Sequence, residues 1–374
     1  MSELKSPLYE WHVAAGAKLA DFGGWDMPIE YPQGTAAGAP GGVLAEHSSV
    51  RERVGLFDVS HLGKIEVRGP GAAEFINSML TNDLGRIEDG SAQYNLICDE
   101  SGGVIDDLIV YRRSSEDLFL IPNASNCADV VSVLQSHAPS SIEVVGAHQS
   151  YGVLALQGPL SREIIAGLGI SIDFDYMAFS EGEIPGHEEL GSVIICRTGY
   201  TGEYGFELVP RWDQTLALWE ILVSAISKVD GRVCGLGARD TLRTEMGYPL
   251  HGHELSTEIS GLEAGAAWAV VLTKEKFIGR EALVKLKADG LKRTLKAIKS
   301  LDRGIPRGGM ELLKDGRVIG EVTSGTFSPT LKVGIGLALM EPSIKVGDTL
   351  QIDIRGRISE VEVVKAPFVP SHVR

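Results

Sequence analysis

The chain has 374 residues, which at roughly 150 residues per domain gives two or three domains. Apolar residues make up 44% and charged residues 23%, a composition that excludes a disordered or fibrous chain. Lys plus Arg is 35 and Asp plus Glu is 50, a net charge of −15, which excludes a general nucleic-acid surface because phosphate backbones demand clustered cations. The 45 glycines are well above the usual ~7% of a chain and point to tight turns and sites built on loops. Cys98, Cys127, Cys196 and Cys234 lie far apart with no C-x-x-C pair. They read as reduced, buried small hydrophobes rather than as a disulfide framework or metal ligands.

In chain order, the start MSELKSPLYEWHVAAGAKL carries no apolar core of a signal peptide. No stretch approaches ~18 apolar residues, so no membrane span is expected; the chain reads as cytoplasmic. Residues 33–42 (QGTAAGAPGG) read as a flexible loop. Runs at 93–98, 104–112 and 118–121, punctuated by DESGG and RSSED, read as a β-meander. A strand at 151–156 leads to Gly158 and Pro159, and Pro159 opens a helix that ends at Gly167. Strands at 192–197 and 205–209 are joined by a glycine-rich turn. The spacing of Trp212, Leu216, Trp219, Val223 and Ile226 predicts one apolar stripe on a helix over 211–228. Further helices are predicted at 238–246 and 278–287, the latter closed by Gly290. After 291 the pattern is strand-like to the end, which marks a small all-β C-terminal domain. The mixed order of elements makes the fold class α+β rather than α/β.

Three segments carry candidate chemistry. In GGVIDDLIVYR (102–112) two carboxylates interrupt a β-branched run. Alternation puts Asp106 on one strand face with Val104 and Leu108, and Asp107 on the other, so the two form no side-by-side dyad unless a bulge intervenes. A carboxylate on such a strand must find donors, shift its pKa or face a cationic or donating ligand; the alternative is that one acid caps a loop and the other faces water. In RTGYTGEYGFELVP (197–210) glycines alternate with Tyr200, Glu203, Tyr204 and Glu207. That suits a flat heteroaromatic ligand, stacked by Tyr and hydrogen-bonded by Glu, or an ordinary glycine-rich hairpin. In CGLGARDTLRTEMGYPLHGHEL (234–255) the lone G-x-G lacks the rest of a dinucleotide fingerprint. Arg239 and Arg243 lie one turn apart there, as a ligand clamp or an internal ion-pair cluster. His251, His253 and Glu254 lack a third distant metal ligand, and Asp58, Ser60 and His61 lack a nucleophile elbow.

Taken together, the motifs resemble the folate-dependent aminomethyltransferases, the T-proteins of the glycine cleavage system. The resemblance rests on PLYEWHVAAGAKLADFGGWDMPIEY, VRERVGLFDVSHLGKIEVRG, SGGVIDDLIVYR, GYTGEYGFE, CGLGARDTLRTEMG, IGREAL and TSGTFSPTL, in the family's order from about residue 7 to 370. It implies three domains in a cloverleaf around a central folate channel. Residues 1–284 would form a folate-binding region of two interleaved α+β domains, and 285–374 a C-terminal β-barrel. It implies transfer of a one-carbon unit from the aminomethyl-dihydrolipoyl arm of a lipoylated H-protein to tetrahydrofolate. The products are ammonia, 5,10-methylenetetrahydrofolate and the reduced lipoyl arm; no metal, membrane or nucleic acid takes part.

Residue by residue, the resemblance implies that Asp106 is the catalytic aspartate, holding the folate amine and the substrate ammonium together. Glu207 matches the pterin-binding glutamate, and Arg239 a folate-binding arginine. Tyr94 and Tyr200 match pocket-lining positions, and Asn123 a polar segment after the third meander strand. Asp107 is expected to be mainly structural. Binding an anionic folate to a net negative chain needs a local positive region, for which Arg239, Arg243, Arg280 and Lys332 are candidates. The tail PFVPSHVR departs from relatives, which leaves contact by Val373 or Arg374 open. Dimethylsulfoniopropionate demethylases share the scaffold and remain an alternative. So do non-catalytic folate-binding relatives linked to iron–sulfur maintenance, although the three motifs occur here together. The related sarcosine and dimethylglycine oxidising enzymes carry a flavin fingerprint that this sequence lacks.

Overall fold

The structure, a computed structural model, describes residues 4–34, 40–354 and 356–374. Residues 35–39 of the expected loop at 33–42 lie outside the described residues. Helices and strands are mixed throughout, and the C-terminal strands close into a barrel. The fold is thus α+β with an all-β C-terminal part. No helix among the described residues is long and apolar enough to cross a membrane.

Two sheets and the barrel carry the architecture. An antiparallel five-stranded sheet runs in the order Ser91–Cys98, Val104–Arg112, Asp117–Ile121, Ile65–Arg68 and Glu143–Gly146. A six-stranded sheet runs Phe179–Glu183, Ser192–Cys196, Gly205–Val209, Leu154–Gln157, Gly55–Asp58 and Arg232–Cys234, with only the last pair parallel. The chain crosses from one sheet to the other between Asp58 and Ile65, and returns after Gly146. One apolar cluster joins them: Tyr111 and Phe119 of the five-stranded sheet meet Phe57, Ile194 and Val209 of the six-stranded one. Leu236 and Leu242 of helix Leu236–Met246 belong to the same cluster, so this helix is held against both sheets. Its stop is local: Gly247 caps it in the left-handed conformation, at φ 70°.

The meander and its turns fall where the sequence places them, within two residues at each end. The strand expected at 151–156 is shorter, Leu154–Gln157, with Tyr151 in an isolated bridge. The helix expected at 211–228 begins with a short 3-10 turn, Trp212–Gln214, and is α-helical over Thr215–Ser227. Its buried face is Thr215, Leu218, Trp219, Leu222 and Ile226, while Leu216 is 42% exposed. This corrects the predicted stripe: the helix carries apolar side chains on nearly every face, so spacing alone did not single out the inward one.

The glycines of 198–205 serve packing more than exposure. A Cβ at Gly199 or Gly205 would lie 2.0 or 2.3 Å from the Gln157 side chain. That amide donates to the carbonyls of Thr198 and Phe206 and accepts from the Thr201 hydroxyl. Close approach of Gln157 closes the turn, as in the glycine-rich hairpin that the sequence left open as one of two readings.

The barrel contains Thr294–Ser300, Val333–Met340, Arg317–Ser328, Glu311–Lys314, Thr349–Ile354 and Arg357–Val364, all antiparallel. Helix Arg280–Asp289 precedes it, and Leu283 on that helix packs with Cys98, Val104 and Leu255. The tail then turns back: the Phe368 amide donates to the Glu245 carbonyl and the His372 amide to the Gly202 carbonyl.

Candidate active site

The acidic strand Val104–Arg112 is the site's foundation. Ile97 pairs with Asp106 but Cys98 with Val104, so a bulge lies at Ile105. Asp106 is fully buried and Asp107 half-buried, as alternation demands. Both acids nevertheless meet one amide. Strand Asp117–Ile121 pairs Ile121 with Ile109, and two residues further Asn123 arrives opposite Asp107. Its Nδ2 lies 2.9 Å from Asp106 Oδ1, 2.9 Å from Asp107 Oδ1 and 3.1 Å from the Asp107 carbonyl. Its backbone N–H donates to Asp106 Oδ2 at 2.9 Å. The two acids point to different faces of the strand, and the Asn123 amide bridges them.

Asn126 completes the shell with Nδ2 at 2.7 Å from Asp106 Oδ1. Burial first, and the Asp107 charge second, push the Asp106 carboxyl above its ordinary range, against the pull of the Asn126 and Asn123 donors. Asp107 is likewise raised by burial, opposed by the Tyr94 hydroxyl, which donates to Asp107 Oδ2 at 3.0 Å. Asp107 is thus hydrogen-bonded by both Asn123 and Tyr94.

Tyr94 leads outward. Its ring lies 5.2 Å from Trp268, which is 64% exposed. Its hydroxyl is also within electrostatic reach of Tyr200. Tyr200 stacks on Tyr248 at 5.6 Å and donates to the Pro249 carbonyl. The Arg239 guanidinium sits 4.5 Å from the Tyr200 ring centre. Arg239 is half-buried and makes no ion pair within 4 Å with a carboxylate among the described residues. Burial pulls its pKa down, and the charges of Glu207 and Tyr200 push it back up. Glu207 is 8% exposed and accepts from the Thr198 hydroxyl. The residues singled out in the sequence, Tyr94, Asp106, Tyr200, Glu207 and Arg239, thus form one connected set.

Arg243 and Arg280 are engaged elsewhere. Arg243 pairs with Asp240 at 2.8 Å and buried Glu254 at 3.1 Å, and donates to the Ser324 hydroxyl. It is the internal ion pair that the sequence left open. Arg280 donates to the carbonyls of Lys274 and Leu272, and Lys332 is exposed. The histidines of PLHGHEL diverge: His251 faces Asn126, whereas His253 Nδ1 meets the Thr323 carbonyl of the barrel. In FDVSH, Asp58 accepts from Ser6, His12 and the Ser60 amide. His61 Nδ1 has no partner among the described residues, and burial first and Arg239 second push the His61 pKa down to about 3. Asp58, Ser60 and His61 therefore make no triad.

Beside the set lies a cavity of about 670 Å³ lined by Arg162, Asp173, Asp175, Tyr176, Arg197 and Arg374, among others. Glu207 acts electrostatically on Tyr176, which places this cavity next to the site. Arg197 Nη2 donates to the Val373 carbonyl, so the C-terminal tail forms part of the wall.

Sequence reasoning missed Asn126, Trp268 and the placement of His251. For Asn126 a signal existed: IPNASN sets two amides three residues apart directly after a strand, beside an acidic strand. Trp268 and His251 come from segments with no periodicity to orient them.

Residues 8–274 match the family described as the GCVT N-terminal domain, and residues 293–370 the glycine cleavage T-protein C-terminal barrel domain. Aminomethyltransferases of Parafrankia sp. and Mycobacterium bovis are 54% and 50% identical to the chain; the first match covers 100% of both chains, the second 99% of this one and 98% of the relative. The crystal structure of the glycine cleavage system aminomethyltransferase T from Bartonella henselae superposes with a TM-score of 0.89 at 32% identity, covering 98% of each chain.

Proposed function

The chain belongs to the glycine cleavage T-protein family and is an aminomethyltransferase; from that premise we propose how its side chains carry the transfer. The one-carbon donor is the aminomethyl-dihydrolipoyl arm of the H-protein, and the acceptor is tetrahydrofolate. The observation that carries this reading is a half-buried guanidinium, Arg239, without a carboxylate partner among the described residues, in one set with a buried carboxylate, Asp106. An anionic, heteroaromatic ligand satisfies both ends at once. Glu207 accepts ring N–H donors of the pterin, Tyr200 and Tyr94 line its faces, and Arg239 meets its electron-rich edge.

Asp106 holds the acceptor amine and the incoming ammonium in one place, which converts an encounter into a positioned reaction. Its negative charge favours the cationic aminomethyl carbon as the sulfur leaves. The amide donors of Asn123 and Asn126 keep the carboxylate oriented while burial excludes water. The four buried, unpaired cysteines fit a reducing cytoplasm. We place the domain division after helix Arg280–Asp289, at Gly290, because Leu283 packs with Cys98 and Val104 rather than with the barrel. The expected boundary at 284/285 would split that helix.

The reading is tested by mixing the purified chain with aminomethylated H-protein and tetrahydrofolate and following ammonia and methylenetetrahydrofolate. Stoichiometric formation of both is expected. Demethylation of a sulfonium compound without turnover of the loaded carrier would replace it with the demethylase alternative.

Arg239→Ala is expected to weaken tetrahydrofolate binding by about 10- to 100-fold, roughly 1.4 to 3 kcal/mol, from loss of a charge-assisted contact. Calorimetric titration reads this directly. Unchanged affinity would reassign Arg239 to a purely structural stack on Tyr200.

A further inference from the structure

We propose that His251 is a positioning residue for the transfer: acting through Asn126, it keeps a hydrogen-bond donor aimed at Asp106. The inference rests on the reading of Asp106 as the reacting carboxylate. His251 Nε2 lies 3.0 Å from the Val104 carbonyl, and a carbonyl only accepts, so the ring proton sits on Nε2. Nδ1 therefore presents its lone pair to Asn126 Nδ2, 2.9 Å away. The second hydrogen of that Nδ2 points to Asp106 Oδ1 at 2.7 Å. Asn126 Oδ1 accepts from the Ser125 hydroxyl at 3.1 Å. Each polar atom of the Asn126 amide thus has a partner of the right kind. A flipped amide would set its oxygen against the Asp106 carboxylate.

Two further facts show that this amide is committed to the site. Asn126 stands at the N-cap of helix Cys127–His137, where an asparagine ordinarily caps the first turn, yet its side chain makes no cap bond. And Val104, whose carbonyl anchors His251, lies on the same strand as Asp106, two residues away. The acid, the amide and the imidazole therefore close a ring on one strand. His251 is held in that ring from behind: Glu254, paired with Arg243, accepts the Leu250 amide at 3.0 Å.

Without an acceptor at Nδ1, one Asn126 N–H loses its partner and the amide is free to turn away from Asp106. Substitutions at His251 separate this role from a structural one. An asparagine places Oδ1 where Nδ1 stands but cannot reach Val104; a glutamine reaches toward Val104 but leaves the Nδ1 position empty. In steady-state assays with loaded H-protein, His251→Leu and His251→Gln are expected to lower kcat about tenfold, the worth of one hydrogen bond, with KM for tetrahydrofolate nearly unchanged. His251→Asn is expected to stay within about threefold of the parent. In an Asn126→Leu background, His251→Leu should add almost nothing, because both act on the same bond.

The reverse order, with glutamine active and asparagine impaired, would show that His251 only anchors the backbone and would overturn the proposal. So would full additivity of the two leucine changes. Asp106→Asn is assayed in the same series. Collapse of turnover there with no effect of His251→Leu sinks this inference alone, whereas normal turnover of Asp106→Asn sinks the site reading on which it rests.

Discussion

Asp106→Asn is expected to lower turnover by about a thousandfold, roughly 4 kcal/mol of barrier, within the range that a positioned acid or base supplies. Tetrahydrofolate affinity should change by no more than about tenfold, roughly 1.4 kcal/mol. The two effects separate because the substitution keeps shape and removes charge. An asparagine Oδ1 still accepts from Asn123 Nδ2 and Asn126 Nδ2. Its Nδ2 would face the Asn123 backbone N–H, a donor against a donor. That local cost is offset by removing one of two buried like charges that now oppose each other across Asn123. The melting temperature should therefore stay close to that of the parent, and lost turnover is not lost folding. Single-turnover kinetics with loaded carrier and equilibrium titration with tetrahydrofolate check the pair of expectations. Near-normal turnover would remove Asp106 from the chemistry and leave the carboxylate as a buried structural acid.

How far the sequence led here differs between the two acids. The strand Val104–Arg112 was legible because a β-branched run is bounded by turn residues at both ends, and alternation set Asp106 and Asp107 on different faces. What alternation does not carry is the approach of a loop from the next strand. Asn123 meets both acids because the pairing of Ile109 with Ile121 carries it opposite Asp107, within hydrogen-bond reach of the neighbouring Asp106. Pairing register is a long-range property and left no local trace. The same holds for Arg239 and Arg243. One turn apart on one helix, they look equivalent in sequence. Glu254, eleven residues past Arg243, and Ser324 of the barrel claim Arg243 and leave Arg239 for the site. Of the two readings left open for the glycines of 198–205, the packing fits the tight hairpin, since Gly199 and Gly205 admit Gln157 and Gly202 admits Met246. The reaction itself followed from the order of the motifs, because composition offered only a multi-domain globular chain.

Glu245 carries the largest expected effect on stability, and its role is to fasten the barrel to the rest of the fold. Its side chain is 0% exposed and sits on helix Leu236–Met246. Arg51, from helix Val43–Glu52, reaches Oε2 through Nη2 at 2.9 Å and Nε at 3.1 Å. From the barrel side, the Ser328 hydroxyl donates to Oε1, while Thr330 donates its N–H to Oε1 and its hydroxyl to Oε2. His47 Nε2 lies 3.2 Å from Oε2. Glu245→Ala leaves Arg51 with Glu203 as its remaining carboxylate partner but strips the acceptor from Ser328 and Thr330 at once, and should cost about 3 kcal/mol. Thermal unfolding of the intact chain reads this as a melting temperature lowered by several degrees.

The pH dependence isolates the charge. Burial pushes the Glu245 carboxyl up, but the His47, Ser328 and Arg51 partners more than reverse it and hold the pKa at about 2, against 4.5 ordinarily. A depressed carboxylate stabilises above its unfolded pKa and loses that stabilisation as pH falls through its folded one, so about 3 kcal/mol should vanish between roughly pH 5 and 2. Glu46 works the other way. Burial pushes it to about 7, so the folded chain keeps a proton that the unfolded chain has lost, and this contribution falls as pH rises toward 7. The curve of the parent protein mixes the two signs, whereas the difference between the parent and Glu245→Gln does not. That difference should be large at pH 7 and shrink as the pH drops from about 5 toward 2. Equal stability of the two proteins at pH 7 would mean that neutral hydrogen bonds, not the charge, hold the barrel in place.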